Sequence, residues 1–238
     1  MYINKIKLEN FRNYEIQEIE FDKNVNIIYG DNAQGKTNIL ESIFICSLGK
    51  SFRTNKEKEL INKEKEFTKI EMISSKEDRD IKIKFELNEK KKFSINGIPT
   101  KKTSDILGKN YIVLFTPEDI TILKNEPSKR RRFLNIMISQ LRPMYVHLLN
   151  QYNKSIEQRN IYLKQIKYEG KPISNLEIWD EQIVEIGTKI YEYRKEFIEK
   201  INEKIYDIHL KTTENKEKIE IKYISNIRKK LFRKFEKK

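Results

Sequence analysis

Asn26-Ile27-Ile28-Tyr29-Gly30-Asp31-Asn32-Ala33-Gln34-Gly35-Lys36-Thr37-Asn38-Ile39-Leu40-Glu41 reads as an apolar strand, a turn and the start of a helix. The turn spells G-x-x-x-x-G-K-T, the P-loop pattern. Each position has a chemical reason. Gly30 and Gly35 let the backbone bend so that successive N–H groups face one concavity, an anion-binding nest formed with Asp31, Asn32, Ala33 and Gln34. A helix from Lys36 onward sets its positive dipole end at that nest. Lys36 offers a point charge for the β- and γ-phosphates of a nucleotide such as ATP, and the Thr37 hydroxyl suits Mg²⁺. Context strengthens the match. Val25, Ile27 and Ile28 form a buried-strand run, while Ile39, Leu40, Ile43 and Phe44 recur at helical spacing.

Working outward, residues 2–8 and 16–21 are expected as strands on either side of a turn at Asn13. Arg12 lies in that turn, and two readings stand for it: a solvated residue or a phosphate contact. Beyond the P-loop helix, Gly49 is placed to end it. Lys50, Phe52, Arg53 and Lys56 then mix basic and aromatic side chains, which suits either a nucleic-acid backbone or a solvated loop. Residues 67–100 alternate as antiparallel strands, and Asn96-Gly97 marks a tight hairpin. Tyr111-Ile112-Val113-Leu114-Phe115 reads as a strand buried on both faces. Thr116 caps and Pro117 opens a short helix, where Glu118 and Asp119 serve either the cap or a bound water.

From Ser128 to about Asp207 helical periodicity dominates, broken at Gly170-Lys171-Pro172, so two long helices in an antiparallel hairpin are expected. The run Arg130-Arg131-Arg132 cannot all face one way on a helix. Residues 219–224 read as one more strand, and 228–238 as a basic, frayed tail. The organisation expected is an ATP-binding lobe at 1–124, a helical lobe at 125–210, and a return strand with its tail at 211–238. The fold class is α/β: a mixed P-loop sheet with an antiparallel subsheet, beside a helical arm.

Composition bounds the rest. The 238 residues carry a formal charge of +13, which suggests a polyanionic partner such as DNA. The single cysteine, Cys46, excludes an internal disulfide and reads as a small buried side chain. His147 and His209 stand apart from other metal-binding types and read as structural. No apolar leader and no membrane-length run is seen, so a cytoplasmic protein is expected.

Several segments, in this order, resemble the RecF family, ATP-binding-cassette-type recombination and repair proteins of bacteria. They are Leu8-Glu9-Asn10-Phe11-Arg12-Asn13-Tyr14, the stretch from Gly30 to Glu41, Leu48-Gly49-Lys50-Ser51-Phe52-Arg53-Thr54, and Phe115-Thr116-Pro117-Glu118-Asp119. Pro127-Ser128-Lys129-Arg130-Arg131-Arg132-Phe133-Leu134, Gln158-Arg159-Asn160 and Ile178-Trp179-Asp180 complete the set. The resemblance implies a two-lobed head that binds ATP and Mg²⁺, with Arg12 added to the P-loop residues at the nucleotide. It also implies a head-to-tail homodimer with ATP sandwiched between subunits, clamping gapped double-stranded DNA. Mediator proteins of the same pathway would be its partners, in replication, repair and the SOS response. Lys50, Arg53, Arg130 and Arg131 are the candidate DNA contacts. The family also carries a Ser-x-Gly-Gln signature and an acidic-ended apolar strand in its C-terminal third. Neither is found, and 13 residues follow Ser225. The expectation is therefore a shortened family member, lacking the C-terminal part of the ATPase lobe, with weak nucleotide binding and negligible hydrolysis. Alternatives are a non-enzymatic nucleotide-binding interaction fragment and a small-molecule P-loop kinase. Duplex-DNA binding stimulated by ATP separates the kinase from the repair protein.

Overall fold

The structure, a computed structural model, describes residues 1–77, 79–123 and 127–225, with Glu118, Thr121 and Leu123 described by backbone alone. The expected basic tail at 228–238 lies outside the described residues. The chain divides into two compact units, 1–130 and 131–238.

In the first unit, β1 (Tyr2–Phe11), β2 (Tyr14–Glu20), β3 (Thr68–Lys76), β4 (Arg79–Leu87), β5 (Lys91–Ile95) and β6 (Ile98–Pro99) form one sheet. Its order is β2-β1-β3-β4-β5-β6, and every pairing is antiparallel. The alternation of apolar and charged residues fixes its register. Leu8, Ile70, Phe85 and Phe93 line up across four strands, and Ile6, Met72, Ile83 and Ile95 form the next row. Both rows face α1 (Lys36–Leu48), whose Ile39, Ile43 and Cys46 complete the core. Burial pushes the Cys46 thiol far above its ordinary range, as a small core side chain requires. The opposite face carries a ladder of charges, with Lys5 paired to Glu18 and Glu71 to Lys69 and Lys82.

The turn chemistry expected at two glycines is present. Gly49 ends α1 at φ 74°, its N–H donating to the Ile45 carbonyl, and a Cβ there would fall 2.1 Å from Thr103 Cγ2. Asn96 and Gly97 both take positive φ in the β5–β6 hairpin. Thr116 and Asp119 cap the short 3-10 segment Pro117–Leu123: the Thr116 N–H and hydroxyl each donate to Asp119 Oδ2 at 2.7 Å. That settles Asp119 as a capping residue.

Three expected strands are absent. Residues 25–29, 111–115 and 219–224 belong to no strand among the described residues. Many of their large side chains face solvent instead, with Ile27 82% and Val113 75% exposed, while Ile112 is half-buried against the sheet core and Tyr223 packs on Tyr191. The run at 111–115 is therefore not buried on both faces. A strand is completed by a neighbour's backbone, and an apolar run carries no information about whether that neighbour is there.

The second unit is helical: α2 (Pro127–Leu141), which begins before the unit boundary, α3 (Pro143–Glu169) and α4 (Leu176–Thr212). The first of the two expected long helices is thus split. Pro143 has no N–H and bars Arg142 from helical geometry, so α2 ends and α3 restarts with Pro in its first turn. α3 and α4 are antiparallel, as the pairs Tyr145–Arg194, Ser155–Gln182 and Arg159–Asp180 show. Ile138, Tyr145, Ile186 and Ile190 make their core. Within it the Arg194 guanidinium donates to the Tyr145 hydroxyl and to Asn135, each at 2.9 Å, tying the three helices together. Asn202 holds the Ile221 N–H and carbonyl through its carboxamide, an edge contact that substitutes for a strand neighbour. Among the described residues, no helix is long and apolar enough to cross a membrane.

Candidate nucleotide-binding site

The loop from Gly30 to Gly35 needs three left-handed residues: Gly30 at φ 143°, Ala33 at 66° and Gly35 at 98°. Gly35 is buried against the β1–β2 turn. A Cβ there would stand 2.7 Å from the Tyr14 hydroxyl and 2.8 Å from the Asn13 carboxamide, so no other residue fits. At Gly30 a Cβ would meet Gln34 Oε1 at 2.5 Å, the same atom that accepts the Asp31 N–H. The amides of Asn32, Ala33, Gln34, Gly35, Lys36 and Thr37 donate to no group among the described residues. Six consecutive donors without a partner among the described residues, ahead of a helix dipole, have the sign that an anion needs. Lys36 folds back over the loop, its Nζ donating to the carbonyls of Gly30 (2.7 Å) and Asp31 (2.6 Å). Thr37 is exposed at the first turn of α1, where its hydroxyl would be the ligand offered to a cation that a phosphate chain brings. No group of three or more His, Cys, Asp or Glu residues that could hold a metal occurs among the described residues.

Arg12 is not the free turn residue that one sequence reading allowed. Its side chain is 17% exposed and makes a two-pronged pair with Glu41 of α1, Nη2 to Oε1 at 2.7 Å and Nε to Oε2 at 3.0 Å. Glu41 is fully buried, and pattern reading did not single it out. Asn38, Glu41 and Phe44 lie at i, i+3 and i+6 on one face of α1. The segment after the helix docks along that face. Ser51 donates to Glu41 Oε1 at 2.5 Å, and Phe52 packs edge-on against Phe44. Arg53 donates to Asn38 Oδ1 at 2.6 Å and reaches Glu41 Oε2 at 3.3 Å. Asn38 in turn donates to Asn13 at 2.7 Å.

The structure therefore gathers Arg12, Arg53, Lys36 and Thr37 around the first turns of α1. Arg53, considered as a DNA contact, is engaged inside this cluster. Lys50 is exposed just beyond the helix end, and Arg130 and Arg131 are exposed on the first turn of α2. Arg130 Nη1 donates to the Ile122 carbonyl at 3.4 Å.

The comparisons with known proteins agree with this geometry. The family described as AAA domain matches residues 5–238. "DNA replication and repair protein RecF" of Acetivibrio thermocellus is 45% identical over 229 residues, covering 95% of this chain and 62% of the relative. The chain belongs to the RecF family of AAA-domain proteins. RecF of Clostridium acetobutylicum is likewise 45% identical, over 96% of this chain and 63% of its own. Two solved structures of the recombination mediator protein RecF in the RecFOR pathway, one described as RecF-ATPrS and one as RecF-ATP, superpose at TM-scores of 0.91 and 0.88. Each is 38% identical; they cover 98% and 99% of this chain and 65% and 66% of their own. The chain thus spans a little under two thirds of the length of the RecF proteins it matches. The mixed α/β architecture, an antiparallel sheet with a helical part, is that of RecF.

Proposed function

We propose that this chain binds ATP with Mg²⁺ in the Gly30–Thr37 loop and supplies the nucleotide-responsive part of a DNA replication and repair ATPase. One observation carries the reading: six unsatisfied main-chain donors run into the N-terminus of α1, beneath a lysine bonded to carbonyl oxygens of its own loop. Those Lys36 bonds are exchangeable, so the ammonium moves to phosphate oxygens at little cost, neutral carbonyls being weaker acceptors than an anion. Thr37 supplies a hydroxyl ligand to Mg²⁺, which would neutralise charge across the β- and γ-phosphates when bound. The RecF-ATP neighbour supports the choice of nucleotide. DNA as polyanionic partner is supported by the +13 charge and by the names of the relatives. The fuller assembly belongs to the same proposal: an ATP-sandwiched homodimer on gapped duplex DNA with mediator partners in the cytoplasm. No specific observation favours a small-molecule kinase.

Titration calorimetry with Mg-ATP tests the binding step. Lys36→Ala is expected to weaken ATP at least tenfold while leaving the melting temperature of the nucleotide-free chain unchanged. Equal affinities for the variant and the parent chain would overturn the reading. The DNA step predicts duplex binding that strengthens with ATP and weakens steeply with added salt.

A further inference from the structure

Arg12, Glu41, Ser51 and Arg53 form a cluster that phosphate binding by the loop alone does not require. Glu41 is 0% exposed, and a carboxylate buried that deeply is tolerated when every lone pair is matched. Here Arg12 and Ser51 nearly achieve that between them, through three hydrogen bonds. Arg53 adds a second guanidinium, so two positive charges share one negative charge beside the positive end of α1.

The two arginines are held differently. Arg12 is committed. Both arms of its guanidinium are engaged, its backbone sits at a left-handed φ of 56°, and its N–H is anchored to the Leu60 carbonyl at 2.9 Å. A non-glycine residue in that conformation is strained, and strain of this kind persists where surrounding contacts over-determine it. Arg53 is shared. One nitrogen divides itself between Asn38 and Glu41, and the side chain is 42% exposed. Its backbone is fixed through Ser51, whose Oγ donates to Glu41 and accepts the N–H groups of Arg53 (2.9 Å) and Thr54 (3.1 Å). Glu41 therefore orients Arg12 directly, and Arg53 both by its own 3.3 Å contact and through the Ser51 hydroxyl that fixes the loop.

We propose that Glu41 is the positioning residue of the triphosphate site: it stations two guanidinium groups beside the P-loop helix, so that the site distinguishes a triphosphate from a diphosphate. The inference rests on the nucleotide-binding reading above. The surplus positive charge is best matched by the more highly charged chain. Arg53, half-released already, is the group with freedom to turn toward it. Glu41 itself touches no nucleotide atom; it acts through the arginines.

The test measures Mg-ATP and Mg-ADP affinities of the full 238-residue chain by calorimetry, with the melting temperature recorded without nucleotide. Glu41→Gln keeps the volume and removes the charge. Its ATP affinity is expected to fall about tenfold and its ADP affinity about twofold, so the ATP-to-ADP ratio drops about fivefold. Glu41→Asp, which keeps the charge, is expected to recover part of that ratio. A lowered melting temperature with an unchanged ratio makes Glu41 merely structural and overturns the inference. Where Glu41→Gln does not fold, Ser51→Ala replaces it. That change removes the hydroxyl that fixes the Arg53 loop while sparing the Arg12 pair and the direct Arg53–Glu41 contact, and a ratio lowered about threefold is expected. An unchanged ratio there is equally fatal. Failure of the parent chain to bind either nucleotide overturns the function reading first and this inference with it, whereas normal parental binding with an insensitive ratio overturns this inference alone.

Discussion

Residues 68–95 and residues 25–29 with 111–115 are written in the same alphabet of β-branched and aromatic side chains. The first stretch is a ladder of three paired strands, its apolar rows buried under α1. The other two belong to no strand and turn Ile27, Tyr29, Val113 and Phe115 to solvent. The difference lies in the neighbours. Each strand of 68–95 is followed within a few residues by the next, so hairpin closure delivers a partner locally. Neither 25–29 nor 111–115 joins a strand ladder among the described residues. Apolar patterning records willingness to pair, and the partner decides whether pairing happens.

The sharpest way to break this comparison is to truncate one residue in each region. Phe85→Ala removes a ring that is buried between Ile70 and Phe93 in register, and should cost about 3–5 kcal/mol in denaturant unfolding. A cost below about 1 kcal/mol would mean the sheet is no better packed than the exposed runs.

A middle-sized effect comes from the charged face of the sheet. Burial works against the Glu71 carboxylate, but hydrogen bonds from Lys82 and Lys69 outweigh it and hold its pKa down at about 2. A carboxylate whose folded pKa lies below its unfolded value contributes stability that is complete above the unfolded value and is lost as pH falls toward the folded one. The loss should therefore develop between roughly pH 4.5 and pH 2, and should amount to about 1 kcal/mol for such a partly exposed network. In Glu71→Gln that part of the acid dependence should vanish; an identical pH profile would show the ladder to be idle.

The smallest effect is expected on the other side of the comparison. Val113→Ser changes a side chain already in water and should shift unfolding by no more than about 0.5 kcal/mol. Its visible consequence should be in light scattering, where self-association at high concentration declines as apolar surface is removed. A destabilisation near that of Phe85→Ala would show that Val113 is packed after all.

Much of this was legible in the chain. The loop at Gly30–Gly35 was readable because both glycines stand where the backbone takes a positive φ. Gly49 and Asn96-Gly97 announced turns through backbone conformations that other residues resist. The antiparallel register followed from strict alternation. Other features were hidden for identifiable reasons. Pro143 interrupted a helical pattern whose apolar spacing continued on both sides, so periodicity outvoted a single residue. Glu41 looked like one more helix acid. Its importance comes from Arg12 and Ser51, which reach it from 29 residues before and 10 residues after. A side chain's partners across the fold leave no mark on the spacing of its own helix.

The closeness of Gly35 to Asn13 and Tyr14 has a practical corollary for anyone borrowing this loop. A P-loop is often treated as a cassette, eight residues to be transplanted onto any strand-and-helix scaffold. Here the hairpin that precedes it by twenty residues forms the wall against which the second glycine is moulded. A chimera carrying the loop without that hairpin would inherit the letters of the motif and lose the mould that shapes it.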